Sequence, residues 1–153
     1  MISIGKAFAG VAALAVLVAA CSSSSATQGV NGATAAGGGA DSSVTVKAAN
    51  AGGQNVLVAG SNGMTLYTFT NDTAGSGKSS CSGGCLTTWP ALTVPSGSTP
   101  TAASGVSGTL GTITRDDGTI QVTYNGLPLY FYKGDHNPGD TNGNYPSWNL
   151  VKP

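Results

Sequence analysis

Short stretches of alternating apolar and polar residues, separated by turn dipeptides, run from about residue 54 to the C-terminus. Because successive side chains of a strand point to opposite faces, this alternation predicts short β-strands. The predicted strands span residues 55–59, 64–70, 110–115, 119–124, 127–132 and 148–151. Asn62-Gly63 and Asn125-Gly126 predict tight hairpin turns, since Asn-Gly readily supplies positive φ angles. Helical periodicity is missing from every longer window, and only residues 85–89 suggest a single helical turn.

The chain repeats itself at a shift of 63 residues. The shift places Asn62-Gly63 on Asn125-Gly126, Leu66 on Leu129, Tyr67 on Tyr130, Phe69 on Tyr132 and Asp72 on Asp135. A tryptophan follows in each copy. Two small β-units that each lack a complete core are expected to bury their faces against one another. We therefore predict an all-β fold of two pseudo-symmetric β-hairpin repeats, at about 54–92 and 109–151, whose core contains Trp89, Trp148, Leu66, Leu129, Ile120 and Val122.

The N-terminal 20 residues have the three parts of a secretory signal peptide. Lys6 supplies the positive charge, residues 7–18 form the apolar run, and Val18-Ala19-Ala20 precedes Cys21. The apolar run of about 12 residues is shorter than the roughly 20 that a membrane-spanning helix needs. Val-Ala-Ala-Cys directly after that run resembles a bacterial lipobox. The resemblance implies that Cys21 becomes the first mature residue and carries a diacylglycerol and an N-acyl chain such as palmitate, which together anchor a protein stably to a membrane.

Residues 21–53 are dominated by Ser, Ala, Gly and Thr. So few large apolar side chains cannot bury enough surface to offset the entropy of an ordered backbone. We therefore predict a lipidated, flexible linker over 21–53, in which only residues 43–47 alternate in the manner of a marginal edge strand. The linker leads into a β-domain over 54–153.

Charged residues make up only 8% of the chain, with six Lys and Arg against six acidic residues, all Asp. Phosphate binding needs clustered Lys and Arg, so this composition excludes a nucleic-acid partner. The single histidine, His136, is the only candidate for a base at neutral pH, and the many serines make no specific catalytic set. We predict a protein that is not an enzyme and needs no cofactor.

Two of the three cysteines form a local pair, Cys81 and Cys85. In an exported protein such a pair favours a disulfide. The alternative is a metal or electron-transfer site, for which His136, Met64 and aspartates are the available further ligands.

Asp72 and Asp135 occupy equivalent places, where a strand gives way to a polar loop. One interpretation is a carboxylate that accepts backbone N–H bonds of its loop, in which case Asp→Asn is mild at both positions and Asp→Ala costs more. The other is ligand or ion binding, most of all at Asp135, whose loop is rich in oxygen ligands but lacks the EF-hand register. The aromatic residues of the motif favour core packing, with a groove for glycan or peptide as the alternative.

The pattern Tyr-x-aromatic-x-x-Asp, at residues 67–72 and again at 130–135, resembles bacterial secreted-repeat lipoproteins of unknown function. The segments 81–85, 88–90, 111–115 and 138–143 are also similar to that family, so the resemblance covers residues 56–151. It implies tandem repeats behind a lipobox on the outer face of a bacterial membrane, and no established activity. We thus expect a non-catalytic envelope lipoprotein, structural or binding, with an unidentified protein or glycan partner. The alternative is a metal-binding or electron-transfer lipoprotein that uses Cys81 and Cys85.

Overall fold

A computed structural model of the protein describes residues 44–153. The predicted signal peptide 1–20, the lipidation site Cys21 and the linker up to residue 43 lie outside the described residues. The described elements are β1 (Thr45–Ala51), β2 (Gln54–Ala59), β3 (Tyr67–Phe69), α1 (Cys85–Thr88), β4 (Thr93–Val94), β5 (Thr101–Ala102), β6 (Leu110–Thr114), β7 (Ile120–Tyr124), β8 (Leu127–Pro128) and β9 (Trp148–Leu150). This part of the chain contains no helix of the length and apolarity that crossing a bilayer requires.

The strands form three small sheets. β1 lies between β2, which is antiparallel to it, and β5, which is parallel. β7 pairs with β6 along one edge and with β4 and β8 along the other. β3 pairs with β9, the last strand of the chain, so that Phe69 lies opposite Trp148. The prediction of an all-β fold is confirmed.

The two hairpins that carry the repeated motif differ in their turns. In the second, Asn125 and Gly126 both have positive φ, at 50° and 81°, which is the backbone that a two-residue type I′ turn requires. In the first, Ala59 N–H donates to Met64 O, and the loop between them is four residues long. The first loop is two residues longer than the second. The strands after the turns therefore match at a shift of 63 residues, whereas the strands before them, β2 and β7, match at a shift of 65.

Each repeat completes the sheet of the other. Leu92, at the end of the first repeat, bonds to the hairpin of the second, while Val151, at the end of the second, bonds to the hairpin of the first. The matched hydrogen bonds are Leu57 N to Val151 O (2.8 Å), Val151 N to Leu66 O (3.2 Å), Val122 N to Leu92 O (2.8 Å) and Leu92 N to Leu129 O (3.0 Å). The halves therefore exchange their C-terminal segments, and neither half has a complete sheet by itself.

The largest buried cluster lies between the two hairpins. Leu66 and Leu129 are both fully buried in it, which confirms the prediction that the repeats bury their equivalent faces together. Trp89, Trp148 and Val122 are buried as well, whereas Ile120 is only partly buried and packs against the margin of the cluster. Ile120 is the first residue of β7 and comes directly after the exposed turn, which explains its partial exposure.

The predicted linker 21–53 is wrong at its C-terminal end, because Thr45–Ala51 forms β1. β1 is an interior strand, not the edge strand that alternation at 43–47 suggests. Most of its side chains are small, but it is hydrogen-bonded along both edges, and Val46 and Ala51 are buried. Backbone pairing on two sides therefore compensates for the apolar surface that the segment lacks. β3 is also shorter than the predicted strand 64–70. In the same way, β8 covers only the first two residues of the predicted strand 127–132.

Candidate functional site

The repeated motif lies on the approximate twofold axis between the halves. Tyr67 N–H donates to Tyr130 O over 2.9 Å, and Tyr130 N–H donates back to Tyr67 O over 3.0 Å. The two tyrosines thus form an isolated antiparallel bridge, in which each copy of the motif contacts the other.

The tyrosine of each repeat donates to the aspartate of the other. The Tyr67 hydroxyl donates to Asp135 Oδ2 and the Tyr130 hydroxyl donates to Asp72 Oδ2, both over 2.7 Å. Both tyrosines are 0% exposed, and Asp72 and Asp135 are 8% and 4% exposed. The sequence repeat therefore encodes a crossed pair of buried hydrogen bonds, which we call the Tyr–Asp exchange.

The second oxygen of each carboxylate accepts a hydrogen bond from the backbone of the loop that the aspartate begins. Ser80 N–H donates to Asp72 Oδ1 over 2.6 Å, and Asn142 N–H donates to Asp135 Oδ1 over 2.9 Å. Each aspartate therefore caps its own loop and receives a tyrosine from the opposite repeat. Both oxygens of each carboxylate thus already accept a hydrogen bond from the protein.

The two tyrosine hydroxyls differ in their third partner. The Tyr67 oxygen accepts a hydrogen bond from Gly143 N–H over 3.2 Å. The Tyr130 oxygen instead lies 2.6 Å from Ser79 Oγ, a hydroxyl that can donate or accept. The exchange is therefore symmetric in its main bonds and asymmetric in its surroundings.

The electrostatics of both tyrosines favour the neutral phenol. Burial raises the pKa of Tyr67 well above its usual value, and the hydrogen bond to Asp135 raises it further. Burial also raises the pKa of Tyr130, with Asp72 contributing in the same direction and Ser79 opposing it. A phenolate beside a carboxylate in this interior is unfavourable, so the pair acts as a fixed donor and acceptor.

Four aromatic rings lie in a row beside the exchange, in the order Phe69, Trp148, Trp89, Tyr132, with the first three stacked and Tyr132 tilted by 35° to Trp89. The central tryptophans are parallel within 5° with centroids 3.8 Å apart, and the outer rings lie at 4.4 Å and 4.6 Å from them. The twofold axis passes between the tryptophans, because Phe69 and Tyr132 are equivalent. Both tryptophans are buried and the two outer rings are partly buried, so this row packs as part of the core.

Tyr145 extends this row to the surface. It is 48% exposed, and its hydroxyl lies 2.8 Å from that of Tyr132. This hydrogen bond raises the pKa of Tyr132. The sequence repeat does not indicate Tyr145, because the first repeat has no aromatic residue at the matching position.

Cys81 and Cys85 form a disulfide with a Cα–Cα distance of 5.4 Å. Cys81 is buried against the aromatic cluster, and Cys85 packs on the same cluster while partly exposed. Ser79 Oγ accepts the N–H of Cys81, and its single proton can go to the C=O of Cys81 or to the Tyr130 oxygen, which connects this disulfide loop to Tyr130. Because the sulfurs are bonded to each other, they offer no thiolate to a metal ion.

The loop that follows Asp135, which the sequence marks as rich in oxygen ligands, is organised by Asp140. One oxygen of Asp140 accepts the backbone N–H groups of His136 and Asn137, each over 2.9 Å. These two bonds lower the pKa of Asp140. Within residues 44–153 no three His, Cys, Asp or Glu side chains come together as metal ligands do.

Arg115 is a residue that the sequence patterns did not single out as important. Its guanidinium donates to Gln121 Oε1 and to the backbone oxygen of Cys81, and so connects the disulfide loop of the first repeat to β7 of the second. Gln121 in turn donates to Leu129 O over 2.8 Å. The available signals were its place at the end of a predicted strand and in the family-like segment 111–115, and nothing local indicates its distant partner.

Removing the disulfide is expected to destabilise the protein by about 2 kcal/mol, the chain-entropy value for closing so short a loop. The test compares a Cys81→Ser/Cys85→Ser variant with the parent by urea denaturation. Adding a thiol reductant should lower the stability of the parent and leave that of the double variant unchanged. Equal stability of the oxidised parent and the variant would contradict the prediction.

A family model described as a secreted repeat of unknown function matches the chain twice, at residues 53–93 and 111–152. The two matches correspond to the two halves that exchange their C-terminal segments. Comparisons with curated proteins and with solved structures found no match. The resemblance inferred from the Tyr-x-aromatic-x-x-Asp motif is confirmed.

Proposed function

The chain belongs to a family of secreted repeats of unknown function, and we propose that it is a non-catalytic lipoprotein held on the outer face of the bacterial cell membrane by Cys21. The anchor is supported by the charged, apolar and small-residue parts of the N-terminal segment, with Cys21 directly behind them. Two or more acyl chains hold a protein stably at a membrane, whereas a single chain does so only weakly.

The observation that carries the non-catalytic role is the use of the motif groups by one another. Tyr67, Tyr130, Asp72 and Asp135 are buried, and their hydroxyl and carboxylate oxygens bond to protein donors and acceptors. A catalytic group must reach a substrate atom within hydrogen-bond distance. The repeated motif therefore serves as the scaffold of a structural or binding module, and contacts with other envelope components fall to the surface around it.

The Cys21 anchor predicts that the protein partitions into detergent and carries acyl chains at its N-terminus. The parent should enter the detergent phase, and mass spectrometry of its N-terminal peptide should show acyl chains on Cys21. A Cys21→Ser variant should lose the acyl mass, while a Ser23→Ala variant serves as the matched control and should keep it. Unmodified Cys21 in the mature parent would refute the anchor.

The competing role in metal binding or electron transfer is decided by the state of the cysteine pair. We expect natively purified protein to show no free thiol at Cys81 and Cys85 and no stoichiometric metal. Alkylation followed by mass spectrometry counts the thiols, and elemental analysis measures the metal. Reduced cysteines with a bound metal ion would overturn the proposed function in favour of this alternative.

A further inference from the structure

We propose that a cleft between the disulfide loop and the β6–β7 turn binds a small zwitterion, either a free amino acid or a short peptide. This polar cleft has a volume of about 350 Å³, within the range of small-molecule sites. One wall includes Lys78, Ser82 and Leu86 from the first repeat, and the other includes Arg115 and Asp116 from the second. The proposal deepens the proposed binding role, and it does not depend on the lipid anchor.

Arg115 makes the polar cleft a pre-formed site. Its side chain is only 5% exposed, and its two terminal nitrogens join the wall from the first repeat to the wall from the second. Its Nε has no hydrogen-bond partner among the described residues, and Asp117 Oδ2, at 3.9 Å, is beyond hydrogen-bond distance. Asp117 still forms an ion pair with Nε, so Arg115 is a buried cation whose charge is partly balanced and whose Nε lacks a hydrogen-bonded acceptor, which is unusual.

The charges of the polar cleft select the class of ligand. Lys78 and Arg115 are positive, Asp116 and Asp117 are negative, and neither Lys78 nor Asp116 forms an ion pair with another described residue. A simple anion or cation would meet as many like charges as opposite ones. A zwitterion can place its carboxylate toward Lys78 and Arg115 and its ammonium toward Asp116.

The lining also argues against an uncharged sugar as the ligand. Sugars bind most readily on an exposed aromatic ring, and the only large apolar side chain in the polar cleft is Leu86. Hydroxyl groups such as that of Ser82 can bond the backbone N–H and C=O groups of a peptide, and the charged groups can bind its termini. This lining therefore suits a peptide better than a sugar.

The equivalent place in the other half of the molecule has a shorter turn that lies against the opposite loop. There the β1–β2 turn consists of Gly52 and Gly53 and packs directly on Thr141, so that a Cβ added at Gly52 would lie 2.7 Å from Thr141 Oγ1. The β6–β7 turn, residues 115–119, is longer and carries charged side chains. The approximate symmetry is therefore broken at the polar cleft, where the longer turn adds charged side chains that the Gly52-Gly53 turn does not have.

The test is an NMR titration of isotope-labelled, full-length lipoprotein in detergent micelles with L-alanyl-L-alanine. We expect saturable shifts at the amides of Ser82, Gly83 and Asp116 below about 10 mM dipeptide. Lys78→Gln and Asp116→Asn should each weaken the apparent Kd by about tenfold, the effect of one lost ionic contact. Lys133→Gln, which removes an exposed charge outside the polar cleft, should leave the Kd unchanged.

A second NMR titration uses a capped form of the dipeptide. The N-acetylated, amidated form lacks both charges and should not produce the shifts. Shifts that are absent with the free dipeptide, equal with the capped form, or unaffected by both cleft substitutions would overturn the proposal. None of those results would alter the acylation of Cys21 or the state of the cysteine pair, so failure of this inference is distinguishable from failure of the proposed function.

Discussion

Asp135→Asn is expected to lower the free energy of unfolding by about 2–3 kcal/mol, while Asp72→Asn costs about 1 kcal/mol or less. The two aspartates are equivalent in the repeat and make the same two bonds, yet the structure predicts unequal effects. The difference comes from what each tyrosine hydroxyl can do once its partner carboxylate becomes an amide.

At Asp135, the amide cannot satisfy both of its partners. One oxygen of Asp135 accepts Asn142 N–H and the other accepts the Tyr67 hydroxyl, but an amide has only one oxygen. When the amide oxygen faces Asn142, the Tyr67 proton loses its acceptor, and Gly143 N–H, the other partner of this hydroxyl, is a donor and cannot replace it. A buried donor is left without a partner in either orientation of the amide.

At Asp72, the neighbouring serine provides a substitute acceptor for the tyrosine proton. The Tyr130 hydroxyl can donate to Ser79 Oγ, 2.6 Å away, and accept from the new amide NH2. Ser79 can still donate to the carbonyl oxygen of Cys81. Every group then has a partner, and the cost is limited to replacing a charge-assisted bond with a neutral one.

Urea denaturation of the four variants Asp135→Asn, Asp72→Asn, Ser79→Ala and Asp72→Asn/Ser79→Ala measures this difference. The double variant should cost more than the sum of its single substitutions, because Ser79 is the substitute acceptor. Asp135→Asn made in a Tyr67→Phe background should cost less than in the parent. Equal losses at Asp72 and Asp135 would show that the Tyr–Asp exchange does not control stability.

The sequence predicts only a small loss of stability for Asp→Asn at both positions. That prediction considers only the hydrogen bond that each aspartate accepts from an N–H of its own loop. That part is local, because an aspartate at the end of a strand commonly bonds the backbone of its own loop. The tyrosine hydroxyl comes from the opposite repeat, and a repeat aligned on itself does not show which copy a side chain contacts. The repeat thus predicted the units and their packing, but not the exchange between them.

The segment 45–51 shows a second limit of the sequence. Its alanines and asparagine carry no strong strand preference, and the strand forms because β2 and β5 hydrogen-bond to it on both sides. Arg115 shows the same limit for the polar cleft, since its partners Cys81 and Gln121 are set by tertiary structure. Local patterns predicted the hairpins, where Asn-Gly fixes the turn, and did not predict what the hairpins bring together.

Alkaline pH is expected to destabilise the protein steeply through the same two tyrosines. In the folded state the pKa values of Tyr67 and Tyr130 are raised above the ordinary value of 10.0. Burial is the main cause for both, and hydrogen bonding to an aspartate adds to it. Above pH 10 the unfolded chain therefore releases protons that the folded chain retains.

The sign of the effect follows from proton linkage. A group whose folded pKa is raised contributes its full stability below the unfolded pKa, and that contribution is lost as the pH rises toward the folded pKa. Each such tyrosine lowers the free energy of unfolding by about 1.4 kcal/mol per pH unit in that window. The two together should lower it by about 2.7 kcal/mol per pH unit there, a slope that is steep against the total stability of many small domains.

Urea denaturation at a series of alkaline pH values measures this slope, and tyrosinate absorbance reports which state ionises. Tyr67→Phe and Tyr130→Phe should each reduce the slope by about 1.4 kcal/mol per pH unit, and the double variant by about twice that amount. Comparing slopes instead of absolute stabilities separates this effect from the cost that each substitution already has at neutral pH. Because every phenol that stays buried stays neutral, tyrosinate absorbance from Tyr67 and Tyr130 should rise only as the protein unfolds. A rise in the folded protein, or a slope unaffected by either substitution, would mean that the phenols of the Tyr–Asp exchange are open to solvent.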